Sequence, residues 1–295
     1  MKNMVFIHTN AKQILGAQVA AHALRRNSAN PDAFDVRIIK AEDFPFIAAY
    51  DGKSYLREGK ATVWHADDLQ SFTPLRFAVP GLMGYEGRAI VTDPDVFAIG
   101  DVNDLFETDM KGAAVLARQM EANHRRPSHF ASSVMLLDCG KLTHWKIEED
   151  FGILFENKRD YRDWMWLLTQ PPGSVAPLDP HWNDFDELTP ETRMLHNTHR
   201  RTQPWKTGLA ADFTARGTTL SSRLGVIFRS LKSKLTGGGN APNGRYTPHP
   251  DRAQEKLFFD LLQECLNNGS ITRQDVEREI ALHHVRADAL SLVRA

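Results

Sequence analysis

Several things are scarce in this chain of 295 residues, and each scarcity removes a class of protein. It has two cysteines, Cys139 and Cys265, far apart and in no metal-ligand spacing. Cys139 follows an apolar run, the setting of a reduced core thiol rather than of half a disulfide. No stretch approaches the ~20 consecutive apolar residues that span a bilayer. The N-terminal Met-Lys-Asn-Met-Val-Phe-Ile-His enters a strand directly, without the apolar core of a signal peptide, so a soluble, cytoplasmic protein is expected. The formal net charge is −1, so no global field draws the chain to nucleic acid and any basic surface has to be local. Gly16 is the only glycine before Gly52, which argues against a glycine-rich phosphate loop near the start. There is no internal repeat.

What is present is ordinary in bulk: 42% hydrophobic and 25% charged residues, enough for a large domain with an appendage, or for two domains. Val5 to His8 reads as a strand, 14–25 as an amphipathic helix, and 34–39 as a second strand; this alternation predicts an α/β protein with a mostly parallel sheet. The segment 42–68 reads as polar and irregular. Residues 69–83 read as helical, interrupted near Pro80-Gly81, and Asp104 as the start of a loop. The runs 113–117 and 133–138 read as further buried strands, 161–168 as an aromatic helix, 171–186 as irregular, and 193–196 as a short strand. Beyond Gly208 the composition shifts: 218–235 is basic and amphipathic, 236–244 is a glycine-rich linker, and helices follow from Pro250, with Ser270-Ile-Thr272 as a cap before the last periodic stretch.

Chemistry concentrates in Arg88-Ala-Ile-Val-Thr-Asp-Pro-Asp-Val-Phe97. An apolar strand ends in Asp93 and Asp95, and in extended backbone residues i and i+2 point the same way, so both carboxylates reach one ion. Pro94 favours an extended Asp93. Two hard oxygen donors at the C-terminal end of a strand suit a divalent cation that also holds phosphates.

Further segments fall in a fixed order around this pair. They are Gly16-Ala-Gln-Val19, Thr73-Pro-Leu-Arg76-Phe-Ala-Val-Pro80, Ser132-Ser-Val-Met-Leu-Leu-Asp138, Pro180-His-Trp-Asn183 and His196-Asn-Thr-His-Arg-Arg-Thr-Gln-Pro-Trp205. Over residues 4–206 this order resembles the family-eight retaining glycosyltransferases, the glycogenin and bacterial lipopolysaccharide galactosyltransferase type. The resemblance implies a GT-A nucleotide-sugar-binding fold, Rossmann-like and mostly parallel. It implies a UDP-linked sugar donor, Mn²⁺ (or Mg²⁺), and retention of anomeric configuration. By the same likeness Asp93, Asp95 and His196 match the metal ligands, with His199 a weaker alternative. Arg76 matches a donor-contacting arginine, and Ile7, His8, Thr9 and Asn10 match the strand end that cradles base and ribose. Asp163, with Asp160 as rival, matches an acidic contact to the donor sugar, and Trp182-Asn183 falls in the acceptor-side loop. Gln203 stands where the family carries lysine, and Lys206, after the tryptophan, is expected to reach the β-phosphate instead.

These readings predict a catalytic domain over 1–208 and an appendage over 209–295 made of the basic helix, the linker and C-terminal helices. The expected activity is transfer of a hexose to a saccharide or glycolipid acceptor in surface polysaccharide synthesis. No carboxylate stands out as a nucleophile, so front-face attack is expected, with the departing phosphate taking the acceptor's proton. Residues 216–235 suit either an anionic membrane surface or packing on the catalytic domain, and the final helices suit a dimer contact. An inactive donor-binding homologue and a nucleotidyltransferase are the competing readings.

Overall fold

The computed structural model describes residues 2–124, 126–213 and 244–293, so the basic stretch 216–235 lies outside the described residues. The chain divides into two compact units, Met1–Ala66 with Ser71–Thr198, and Asp67–Gln70 with His199–Ala295.

The first unit is built on strand β1 (Asn3–Thr9), helix α1 (Ile14–Arg26) and strand β2 (Phe34–Lys40). Val5 to Thr9 are all buried, as a central strand covered on both faces requires. Helix α1 buries Leu15, Val19, Ala23 and Leu24, which recur at helical spacing. The segment read as irregular contains helix α2 (Pro45–Ala49) and the hairpin β3 (Ser54–Arg57) with β4 (Lys60–Val63). Its two-residue turn places Glu58 at φ 56° and Gly59 at φ 69°, the two left-handed positions that match strand twist.

A 3₁₀ turn at Thr73–Ala78 runs directly into helix α3 (Val79–Leu82), with Pro80 tolerated in its first turn. Strands β5 (Arg88–Thr92) and β6 (Val96–Ala98) follow, then helix α4 (Val102–Glu107), where a loop was expected. Asp101 caps α4 by accepting the Asn103 backbone N–H at 2.9 Å. Next come β7 (Val115–Met120), β8 (His129–Asp138), helix α5 (Ile147–Phe155) and helix α6 (Tyr161–Met165). The α6 segment is shorter than its aromatic spacing suggested, because Leu167 turns left-handed at φ 59°. Strand β9 (Val175–Leu178) tolerates Pro177 because it is an edge strand. Strands β10 (Asp184–Phe185) and β11 (Met194–His196) complete the unit.

The main sheet has the order β2-β1-β5-β8-β7-β9. Only β8 runs against the other five, so the sheet is mixed and mostly parallel, as the sequence predicts. A second small sheet has the order β10-β11-β6. Cys139 sits in the core of this unit, where burial pushes its thiol up to about 12.

The second unit contains the helices Arg252–Asn268 and Arg273–Ala281. Thr272 caps the latter in a reciprocal box with Asp275, as its sequence signature indicates. Trp205 stacks on Phe258 at 4.7 Å, and Leu69, Phe213 and Tyr246 form a small apolar cluster. Burial raises the Cys265 thiol to about 11. No helix among the described residues is long and apolar enough to cross a membrane.

Candidate active site

β5 leaves the main sheet at Thr92, and the Asp93 backbone N–H bonds the Ser133 carbonyl at 3.0 Å. The chain then does not stay extended. Val96 N–H bonds the Asp93 carbonyl at 3.4 Å, closing a turn with Pro94 at its first central position. This corrects the expectation that strand alternation aligns Asp93 with Asp95; a turn brings them together instead. β11 pairs antiparallel with β6 so that His196 lies opposite Val96, and Asn197 N–H bonds the Asp95 carbonyl at 3.0 Å. The register thus delivers His196 beside both carboxylates. One ligand atom from each of Asp93, Asp95 and His196 lies within 4.8 Å of the others. His196 Nε2 is 3.4 Å from Asp95 Oδ1 and 3.9 Å from Asp93 Oδ2.

His196 is held from behind. Asn183 is fully buried; its amide nitrogen donates to Ser133 Oγ at 2.9 Å, which leaves Oδ1 to accept from His196 Nδ1 at 2.9 Å. That contact fixes the tautomer and turns Nε2 toward the two carboxylates, the usual way an outer partner orients a ligating histidine. Burial works against a charged His196, but Asp95 and then Asp93 outweigh it, and its pKa is raised above the ordinary value. The three ligand atoms are close enough to share one metal ion. Carboxylate oxygens with one imidazole suit Mn²⁺ better than Ca²⁺.

Arg76 enters the site from the 3₁₀ turn. Its Nη2 donates to both oxygens of Asp93, at 2.6 and 2.5 Å, and its Nη1 to Ser132 Oγ at 2.8 Å. Ser132 in turn donates to the Met165 carbonyl at 2.6 Å, tying α6 to the site. His8, at the end of β1, places Nε2 2.7 Å from Asp93 Oδ1. Arg76 Nε also lies 3.1 Å from that nitrogen, but a nitrogen cannot donate and accept in one tautomer. The shorter contact to a carboxylate assigns the proton to His8 Nε2, and Arg76 Nε donates to Asp93 Oδ1 at 3.0 Å. Burial lowers the His8 pKa more than Asp93 raises it, so the ring is neutral. Burial also opposes ionisation of Asp93, yet Arg76, then His8 and His196, hold its carboxyl well below the usual range. With His196 neutral, as a metal ligand must be, two carboxylates against one guanidinium leave the site one net negative charge.

The other residues singled out by sequence are placed as follows. Ile7, Thr9 and Asn10 are buried at the end of β1, and Asn10 Nδ2 donates to Ser71 Oγ at 3.3 Å. Asp163 is exposed on α6, and partial burial followed by Asp160 raises its pKa. Asp160 has a structural role: it accepts backbone N–H groups from Arg162 (2.8 Å), Glu58 (3.1 Å) and Gly59 (2.8 Å), capping α6 and pinning the β3–β4 turn. Lys206 is fully buried in the second unit, with Nζ 2.9 Å from Asp212. Trp182 and Asn183 lie in a 3₁₀ turn just before β10, and the Asn183 amide bonds His196 and Ser133. A cavity of about 530 Å³ lined by Trp182, Arg193, Asp104 and Asp179 opens at the other end of the β6–β11 ladder from His196 and includes none of the cluster.

No protein-family model and no curated protein matches this chain. Among solved structures, it is similar to the glycosyltransferase GlyE of Streptococcus pneumoniae TIGR4, at 18% identity over 85% of this chain and 65% of that one, with a TM-score of 0.49. It is similar to the galactosyltransferase LgtC, at 15% identity over 77% of this chain and 95% of that one, with a TM-score of 0.48. It is also similar to mouse xyloside xylosyltransferase 1, at 14% identity over 67% of this chain and 98% of that one, with a TM-score of 0.43. All three are glycosyltransferases. The chain spans 65% of the length of the GlyE chain.

Proposed function

We propose that this protein is a metal-dependent retaining glycosyltransferase. It moves a hexose from a nucleotide sugar, UDP-linked by sequence resemblance, to a saccharide or glycolipid acceptor in surface polysaccharide synthesis. The observation that carries the reading is the convergence of Asp93, Asp95 and His196 within 4.8 Å, with His196 oriented from behind by Asn183. Residues 1–208 form the catalytic domain in this reading, and 209–295 the appendage.

Asp95 Oδ1, Asp93 Oδ2 and His196 Nε2 would hold Mn²⁺ (or Mg²⁺). When bound, the ion supplies a Lewis acid that offsets the charge developing on the diphosphate. Arg76 keeps Asp93 ionised and oriented, and its fixed positive charge lowers the cost of collecting two further acceptor groups, Asp95 and His196, nearby. Ile7 to Asn10 would contact base and ribose, Asp163 the donor sugar, and Lys206 the β-phosphate. The donor's anomeric carbon loses its bond to the phosphate oxygen while the acceptor hydroxyl attacks from the same face. The acceptor's proton passes to the departing phosphate, so no protein nucleophile is needed.

An inactive donor-binding homologue is the second reading, favoured by Gln203 in the lysine position and by Lys206 already paired with Asp212. One assay separates them. The full chain with Mn²⁺ should hydrolyse or transfer from one member of a panel of UDP-sugars, with product of retained configuration by NMR. Asp95→Ala should lower that rate at least about a hundredfold, beyond the roughly 10–100-fold typical of an outer partner. No turnover with any sugar supports the second reading; inverted product removes the front-face mechanism; an active Asp95→Ala chain removes the site.

A further inference from the structure

We propose that His8 is a positioning residue of the cation site: with Arg76 it fills Oδ1 of Asp93, so that Asp93 meets the ion through Oδ2 alone. The inference rests on the metal reading of the Asp93, Asp95 and His196 cluster. Asp93 Oδ1 has three donors around it, His8 Nε2 at 2.7 Å, Arg76 Nε at 3.0 Å and Arg76 Nη2 at 2.6 Å. Among the described residues Oδ2 has one, Arg76 Nη2 at 2.5 Å, and lies 3.9 Å from His196 Nε2. An ionised carboxylate offers about four lone-pair sites on its two oxygens. Oδ1 is therefore saturated, and Oδ2 keeps one site, on the side of His196. A grip through both oxygens would require Oδ1 to leave His8.

The His8 ring carries a second sign of this role. It is fully buried, and its Nδ1 has no hydrogen-bond partner among the described residues. A buried ring nitrogen without a hydrogen-bond partner is a cost that an apolar side chain packed against Phe72, 5.4 Å away, would not carry. The polar contact that offsets the cost is the one to Asp93.

The test measures Mn²⁺ affinity of the full chain without any sugar nucleotide, from the electron paramagnetic resonance signal of free Mn²⁺. Asp95→Asn should weaken binding more than about a hundredfold, and His8→Leu about tenfold, the scale of an outer-shell loss. His8→Gln, whose amide nitrogen can donate toward Oδ1, should stay within about threefold of the native chain. A purely packing role would reverse the order, with leucine binding better than glutamine. Native affinity in His8→Leu, with Asp95→Asn impaired, overturns the role of His8 alone. A native chain that ignores Mn²⁺, or an unaffected Asp95→Asn, overturns the cation reading beneath it. Should the leucine chain not fold, His8→Phe makes the same comparison with a ring retained against Phe72.

Discussion

His196 sits between two opposed demands: burial disfavours its charge, and Asp95 and Asp93 favour it. Because the carboxylates win, the folded-state pKa lies above the ordinary 6.5. A raised pKa means that the folded state binds the proton more tightly than the unfolded chain. Without metal, this stabilisation is fully present below 6.5 and disappears as pH rises through the folded value. With a chelator present, His196→Asn should therefore lower Tm most below that pH and progressively less above it. A Tm difference that widens with rising pH would contradict the assignment. Residue types pointed to Asp93 and Asp95 as a carboxylate pair at a strand end, while His196 entered only through the family resemblance. They did not announce His8 as a partner of Asp93 or Asn183 as a partner of His196. Nor did they announce that Arg76 puts its guanidinium on Asp93 and Ser132. Each of these contacts joins side chains from separate elements; His8 and Arg76 are 68 residues apart, and no local spacing encodes the meeting.

Among the elements, those with a clean period were legible. β1, α1, β2 and β5 follow from buried apolar runs and helical spacing. The β3–β4 hairpin, β9 and α4 did not, because their residues are polar, contain proline or depend on a distant cap. Asp160 shows how such an element is held. Its carboxylate serves the first turn of α6 and both turn residues of the hairpin, joining pieces about a hundred residues apart in sequence. Asp160→Ala should cost about 1–3 kcal/mol, a cap loss plus two backbone N–H groups deprived of their acceptor. The measurement is the urea midpoint of the full chain, with Asp163→Ala as an exposed neighbouring control. Equal small effects from both would remove the capping role and reopen Asp160 as the rival sugar contact.

At the level of the full chain, the division into two units bears on how the basic segment can be tested. Trp205 stacks on Phe258 at 4.7 Å, so cutting the chain near Gly208 would strip the second unit of its partner for Trp205. Charge reversal in the intact chain avoids this. If 216–235 docks on an anionic bilayer, each basic residue contributes about 1 kcal/mol, and replacing Arg223, Arg229 and Lys232 by Glu should cut vesicle partitioning more than about a hundredfold. Flotation with phosphatidylglycerol vesicles reads this directly; a native chain that stays at the bottom of the gradient ends the membrane proposal. The α/β class, the positions of the principal strands along the chain and the acidic pair at a strand end were written in local pattern, since apolar periodicity and strand-end chemistry act over a few neighbours; His196 came only with the ordered motifs of the family resemblance. Folding in three dimensions set the turn that joins Asp93 to Asp95, the β6–β11 register that brings His196 to them, and the clamp of Arg76 and His8 on Asp93. Those depend on which strands lie side by side and at what offset, a long-range outcome of core packing that leaves no mark in the spacing of the residues involved.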